Sequence, residues 1–242
     1  MTREYTIWAP EYNNFSGGIR ALHVLNDELN KRGMKSKLHY KESNNPNDIV
    51  MYPEIITDNP LNSDYVCRWL LAQGENKDLC FEWCHGLNGD YLLTVNPYEL
   101  DIFSPRKVER KNVGYWIGKG KQNCPLPENA ELIQKFYPND RNLLADQLAS
   151  YEYIISFDSF SGINMEATFL GTPVFMSNVT HDWTEEKLKK TVFPMHGFFW
   201  DMNDLEKAKS EVTKQYEAYT VVCKEFDKLI DNFIEISQTK YV

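Results

Sequence analysis

The chain has 242 residues, 42% hydrophobic and 14% aromatic, enough apolar material for one large domain or two small ones and too much for a disordered chain. Its 26 Lys and Arg against 35 Asp and Glu give a formal charge of −9, which repels polyanions and argues against nucleic acid or an anionic membrane surface as a partner. No apolar run reaches the roughly 18 residues of a membrane span and the first residues enter a strand pattern directly, so the expectation is a cytoplasmic protein with neither transmembrane segment nor signal peptide.

Residues 5–10 read as a first strand, followed by a polar loop with Asn13, Asn14 and Ser16-Gly17-Gly18. Ile19, Leu22, Leu25 and Leu29 then recur at helical spacing, and Gly33 sits where a helix C-cap belongs. Residues 37–40 and 48–52 read as strands, the second ending at Pro53. Asn62 or Ser63 can cap a helix running through Trp69-Leu70-Leu71 to Gly74. Residues 79–83 and 91–95 look like further short strands. Strands alternating with helices predict a parallel sheet covered by helices. The pattern breaks at the polar, charged stretch 104–112, a candidate linker or a long surface loop.

A second alternation follows. Residues 113–117 form a strand that ends in Gly118-Lys119-Gly120-Lys121. Residues 130–136 hold a short helix or strand, and Asp140 can cap a helix containing Leu143, Leu144 and Leu148. Strand 153–157 runs into Asp158-Ser159-Phe160-Ser161-Gly162-Ile163, then a helix bearing Glu166, then Gly171 and Pro173. Residues 174–176 are the next strand, and 195–200 an edge strand or loop. Asn203 and Glu206 fit a capping box, and an apolar stripe from Leu205 to Phe233 predicts one helix or two broken ones. The five cysteines are an odd, scattered set, read as free thiols in a reducing compartment. Cys80, Cys84 and His85 lack a fourth ligand and the paired spacing of a zinc site, so buried thiols are the simpler reading and no metal is expected.

Several of these residues can carry chemistry. The strand–turn–helix around Ser161 opens a helix N-terminus, which suits the phosphates of a nucleotide, and Asp158 and Glu166 flank it as acceptors for neutral hydroxyls. Gly17 and Gly18 let backbone N–H groups approach a ligand, or form an ordinary βα turn. Arg20, one turn into that helix, can reach a phosphate or an acid, or stand as a solvated helix charge. Glu54, after Pro53 at a strand end, is a candidate site acid. Trp8, Tyr52 and Trp83 can stack on a flat ligand or fill the core.

In this order the residues resemble a compact GT-B glycosyltransferase, of the kind that transfers a sugar from a nucleotide donor. The Ser16-Gly17-Gly18 loop with its strand and helix resembles the glycine loop of the N-terminal GT-B domain. Tyr52-Pro53-Glu54-Ile55, Asn59-Pro60-Leu61 and Val66-Cys67-Arg68-Trp69-Leu70-Leu71 look like a segment of bacterial surface-polysaccharide transferases. Residues 158–173 match the acid-x7-acid donor signature, which is commonest among retaining enzymes.

The resemblance implies roles. Glu166 would accept from the ribose hydroxyls of the nucleotide. Asp158 would hold hydroxyls of the donor sugar, where the family commonly has a glutamate. Ser161, Gly162 and Ile163 would offer backbone N–H groups to the diphosphate. Lys119 would face that diphosphate and neutralise charge on the leaving nucleotide. The family often has arginine there and lysine five residues later. Here those positions hold Lys119 and Cys124, with Lys121 as a stand-in cation. His85 would lie near the donor or acceptor sugar, Arg20 and Glu54 would stand on the acceptor side, and Trp8, Tyr52 and Trp83 could stack on sugar faces or fill the core.

The expected fold is therefore α/β, with two Rossmann-like domains facing across a cleft and a C-terminal helix packed across them. The expected division is an acceptor-side domain at 1–105, a nucleotide-sugar domain at 112–202 and a helical segment at 203–242. The expected activity is metal-independent, retaining transfer from a UDP- or GDP-type sugar to a glycan or other hydroxyl acceptor, in polysaccharide biosynthesis, with no cofactor. The alternatives are a non-catalytic nucleotide-sugar-binding module and a GT-B sugar-nucleotide epimerase or hydrolase. Transfer to modified DNA is a narrower variant that the acidic charge opposes.

Overall fold

A computed structural model describes residues 2–40, 45–75, 77–134, 140–178, 180 and 183–241. The chain divides into two compact units, one made of Met1–Pro97 with Val222–Val242, the other of Tyr98–Val221.

In the first unit the described residues form a six-stranded sheet in the order β2-β1-β3-β4-β5-β6, every pairing parallel. The strands are β1 (Tyr5–Ile7), β2 (Ser36–Leu38), β3 (Ile49–Pro53), β4 (Tyr65–Leu70), β5 (Leu79–Glu82) and β6 (Tyr91–Leu92). Central strands β1, β3 and β5 are buried along their whole length, as parallel strands covered on both faces must be. Helix α1 (Gly17–Lys31) turns Ala21, Leu22, Leu25 and Leu29 into this core. It stops where Gly33 predicts: the N–H of Gly33 bonds to Asn30 O and that of Met34 to Leu29 O, a Schellman closure.

One expected element is corrected here. Residues 62–71 hold strand β4 and not a helix. Tyr65, Val66, Cys67 and Trp69 are aromatic, β-branched or small; all four pair with β3, and from Cys67 on the strand also pairs with β5, where burial outweighs the local cap signal. Asn62 and Ser63 instead make the turn that launches the strand. The Asn62 N–H bonds to Asn59 O, and the Ser63 hydroxyl accepts the Tyr65 N–H while donating to Asp48 O. Arg68, buried within β4, is satisfied by Asp78, Asp58 O and Ile56 O and lies over the Tyr52 ring. Tyr52 is thus a core residue, not a sugar platform.

In the second unit a five-stranded parallel sheet has the order β11-β10-β9-β7-β8. Its strands are β7 (Val113–Trp116), β8 (Ala130–Leu132), β9 (Tyr153–Ser156), β10 (Val174–Met176) and β11 (Phe198–Phe199). Of the expected stretch 130–136, the strand accounts for the first part, and residues 135 and 136 lie outside the described residues. Helices α2 (Arg141–Ser150) and α3 (Gly162–Phe169) flank β9, and α4 (Glu185–Leu188) precedes the edge strand β11. Asp140 caps α2 as expected, its carboxylate accepting the N–H groups of Asn142 and Leu143.

The charged stretch 104–112 is bound into this second unit. Arg110 donates to Ala149 O at the end of α2, to Leu170 O at the end of α3, and to the Thr172 hydroxyl. A guanidinium there satisfies carbonyls that two helix ends leave open. Burial pushes the Arg110 pKa below its ordinary value.

The tail is two helices. Asp201, and not Asn203, caps its start by accepting the Asn203 N–H, which corrects the expected capping box. Helix α5 (Leu205–Glu211) is followed by a 3-10 turn at Val212–Lys214 and then by α6 (Gln215–Lys240). The last part of α6 completes the first unit. Phe233 meets the rings of Tyr5 and Phe81, Ser237 bonds the Tyr5 hydroxyl at 2.8 Å, and Asp227 and Asp231 pair with Arg32.

Candidate functional site

In an open parallel sheet, ligands bind beyond the carboxyl ends of the strands, where the strand order reverses. In the second unit that point lies between β7 and β9. From β7 the chain goes outward to β8, then returns past β7 to β9 and continues to β10. The Gly118-Lys119-Gly120 loop leaves β7, and Asp158 to Ser161 leaves β9, so the topology sets the two motifs side by side.

Their contact is close enough to dictate residue type. Gly118 has φ +55, and a Cβ on it would lie 2.3 Å from Asp158 Oδ2 and 2.6 Å from Trp116 Nε1. A Cβ on Gly120 would lie 1.5 Å from the Phe157 carbonyl oxygen. The loop therefore rests directly on the end of β9, with the Lys119 N–H donating to Asp158 Oδ2 at 3.0 Å. The side chains of Lys119 and Lys121 are exposed along it. Asn178 donates to Lys121 O, and Asn123 donates to Ser177 O at 2.7 Å, which ties the loop to the end of β10 as well.

Ser161 begins α3 but does not cap it with its side chain. Its hydroxyl accepts from Trp116 Nε1 at 3.0 Å instead. Among the described residues no acceptor meets the N–H groups of Gly162 and Ile163. No acidic residue lies in the first turn. The helix thus presents open donors and the positive end of its dipole beside the glycine loop, the chemistry an anion requires.

The two acids of the signature are committed to the protein. Asp158 is 4% exposed, under the loop that it braces. Its Oδ1, like Oδ1 of the buried Asn164, meets no donor among the described residues. Asn164 also donates to Asp158 O at 2.8 Å, and the Ser156 hydroxyl donates to the same carbonyl. Glu166 is 1% exposed and forms a 2.6 Å ion pair with Arg141 Nη2. Arg141 also holds Glu99 Oε2 at 2.7 Å and lies over the Phe103 ring. Burial pulls the Arg141 pKa down, but Glu166 and Glu99 outweigh it and the net direction is up.

In the first unit the remaining candidates lie on or near the carboxyl edge of the sheet. Gly17 and Gly18 open α1, where the Ser16 hydroxyl accepts the Ile19 N–H at 3.4 Å. A Cβ on Gly17 would meet nothing within 4 Å, so packing does not require a glycine there. One on Gly18 would touch Leu71. Glu54 accepts the Leu71 N–H at 3.0 Å, which places α1's start, the end of β4 and Glu54 together. Arg20 is on the buried face of α1 and not in solvent. His85 is exposed after β5 and faces Glu82. Trp8 stacks on His39, with ring centroids 4.7 Å apart.

The sequence reading did not single out Arg141, Glu99, Glu82, Trp116 or Asn164. Arg141 carried a signal: a cation in a helix's first turn opposes the dipole and calls for acidic partners. Among the described residues no group of three or more His, Cys, Asp or Glu could hold a metal ion. Cys80 and Cys84 are buried and take part in no disulfide. No helix of the described residues is long and apolar enough to cross a membrane.

Two Rossmann-like α/β units, each with a parallel sheet that reverses order near its centre, define the fold class as GT-B. A DNA-modifying β-glucosyltransferase, solved with and without its substrate uridine diphosphoglucose, superposes with a TM-score of 0.52 over 98% of this chain and 99% of that one, at 9% identity. The dodecameric iron-containing heptosyltransferase TibC, solved with ADP-D-β-D-heptose, gives a TM-score of 0.36 over 98% of this chain and 78% of that one, at 11% identity. No family model matches the sequence, and no curated protein matches it.

Proposed function

We propose that the chain is a glycosyltransferase that moves a sugar from a nucleotide-sugar donor to a hydroxyl of an acceptor. The observation that carries the proposal is the switch-point cradle of the second unit. The Gly118–Gly120 loop and the open start of α3 stand together, with the Lys119 side chain at the same edge. That arrangement suits a diphosphate. Backbone N–H groups of Gly162 and Ile163 would hold its oxygens, and Lys119 would offset the charge that builds on it as the sugar leaves. The fold is shared with an enzyme whose substrate is uridine diphosphoglucose, which supports a nucleotide sugar as the donor.

In this reading Asp158 acts through the loop. Its carboxylate fixes the Lys119 backbone, and the sugar hydroxyls are not its first partners. Glu166 anchors Arg141 inside the unit. Retention was expected because the signature is commonest among retaining enzymes, and with both of its acids engaged inside the protein the proposal does not carry it forward. Lys119 and the helix start take the place of a divalent cation, so transfer is metal-independent. The acceptor is a glycan or another neutral hydroxyl compound, because a chain of charge −9 is poorly suited to a polyphosphate backbone.

The test is turnover. The protein is incubated with UDP-, GDP-, ADP-, CMP- and TDP-sugars, with and without oligosaccharide acceptors, and free nucleotide and glycosylated product are both measured. Acceptor-dependent release, undiminished by EDTA and reduced about 10²-fold or more by Lys119→Ala, is expected. Release without an acceptor would indicate a hydrolase or epimerase, and binding without release a non-catalytic module.

A further inference from the structure

Ser161 breaks the local rule for a helix start. Its φ of −121 and ψ of 139 are those of an N-cap, from which a serine oxygen ordinarily accepts the N–H of the second or third helical residue. The hydroxyls of Ser16 and Thr184 do this at the starts of α1 and α4. The Ser161 oxygen instead accepts the indole N–H of Trp116 at 3.0 Å. The fold forgoes a stabilising cap here, and departures of that kind gather at functional sites.

The indole is held in place to reach this oxygen. Trp116 ends β7 and is 7% exposed. Its carbonyl accepts the Phe157 N–H at 2.8 Å, so the end of β9 fixes its backbone. A Cβ on Gly118 would fall 2.6 Å from the indole nitrogen, so glycine is the residue that leaves the ring its position under the loop. Asp158 and Asn164, on either side of Ser161 in the chain, are more than nine-tenths buried, and one oxygen of each meets no donor among the described residues. The turn therefore offers buried polar groups to a bound molecule as well as a helix end. Ser161, Gly162 and Ile163 themselves are half-buried, within reach of solvent.

We infer that Trp116 is a positioning residue for the diphosphate. By holding the Ser161 oxygen it keeps the Ile163 N–H uncapped, and it leaves the Ser161 O–H, which meets no acceptor among the described residues, as a further donor to the anion. The inference rests on the nucleotide-sugar reading and lies wholly within the second unit. Without the indole N–H, the serine oxygen turns back to the Ile163 N–H as an ordinary cap, and the anion loses a backbone donor to the protein's own side chain.

The test is a double-mutant cycle. UDP, GDP, ADP, CDP and TDP are titrated calorimetrically into wild type, Trp116→Phe, Ser161→Ala and Trp116→Phe/Ser161→Ala, each shown to be folded by its thermal transition. Ser161→Ala removes one hydroxyl donor and should weaken binding about tenfold. Trp116→Phe should weaken it about 10²-fold, because the hydroxyl and the Ile163 N–H are both taken. The double variant should return to the affinity of Ser161→Ala, since alanine cannot cap. The serine deletion thus weakens binding in wild type and strengthens it in Trp116→Phe, a reversal that lost packing at Trp116 does not produce. If Trp116→Phe does not fold, 15N–1H spectra of Ser161→Ala decide: one of the six tryptophan indole signals should move. Wild-type affinity in Trp116→Phe, a serine deletion that weakens binding in both backgrounds, or no indole signal moving would overturn the positioning role and leave the donor site standing. No binding of any of the five by wild type would overturn the nucleotide-sugar reading, and the role of Trp116 with it.

Discussion

Replacing Glu166 should cost stability before it costs anything else. Its carboxylate is 1% exposed and pairs with an Arg141 side chain that is itself only 8% exposed. Removing one partner of a buried pair typically costs about 3–5 kcal/mol, because the remaining charge keeps its desolvation penalty. Arg141 would retain Glu99, whose side chain is 34% exposed, so the lower end, about 3 kcal/mol, applies. For a protein of this size that is a fall in Tm of about 6–12 °C. The assay is thermal unfolding of wild type, Glu166→Leu and Glu99→Gln without ligand. Glu99→Gln breaks the more exposed arm and should cost about 1 kcal/mol or less. A Glu166→Leu protein that melts with wild type, or no lower than Glu99→Gln, would refute the buried-pair account and restore Glu166 as an open ligand.

Three further outcomes follow from named contacts. Gly120→Ala should push the loop off β9, because its Cβ would fall 1.5 Å from the Phe157 oxygen; a loss above about 1 kcal/mol in denaturant unfolding is expected, together with loss of nucleotide binding. Arg110→Met should cost about 2 kcal/mol in the same assay by taking the guanidinium from the Ala149 carbonyl at the end of α2 and leaving the Leu170 carbonyl at the end of α3 with the Arg106 N–H alone; a variant within error of wild type would sink that role. His39 is half-buried, accepts the Ala9 N–H at 3.0 Å, and has its pKa lowered by burial. The unfolded chain then takes up the proton first, so this contribution is full above the ordinary value of about 6.5 and is lost as pH falls from there through the lower folded value. Urea midpoints at neutral and mildly acid pH should fall further for wild type than for His39→Gln, and equal falls would contradict it.

Much of the second unit was legible because its signals are local. Val174-Phe175-Met176 is a strand as read, Asp140 caps its helix, and the glycine loop and Ser161 turn are neighbours because parallel β-strands with crossovers leave few topologies. Strand β4 was not legible. Asn62 and Ser63 carry the composition of a helix cap, and only burial between β3 and β5 decides otherwise. The environment of the two signature acids was also hidden. Spacing sets Glu166 about one turn along α3, but whether it meets a ligand or Arg141, 25 residues earlier, depends on how α2 packs. Glu82 was hidden for the same reason in reverse, since an acid ending an apolar strand reads as a simple boundary until the loop folds back over it.

The central claim is that a nucleoside diphosphate binds at the switch point between β7 and β9. Isothermal titration of UDP, GDP, ADP, CDP and TDP into wild type and Lys119→Ala, both shown to be folded, tests it most directly. The account predicts saturable binding of at least one nucleotide, weakened about tenfold in Lys119→Ala. Absence of binding by any of them at millimolar concentration, or equal affinity in the variant, would contradict it.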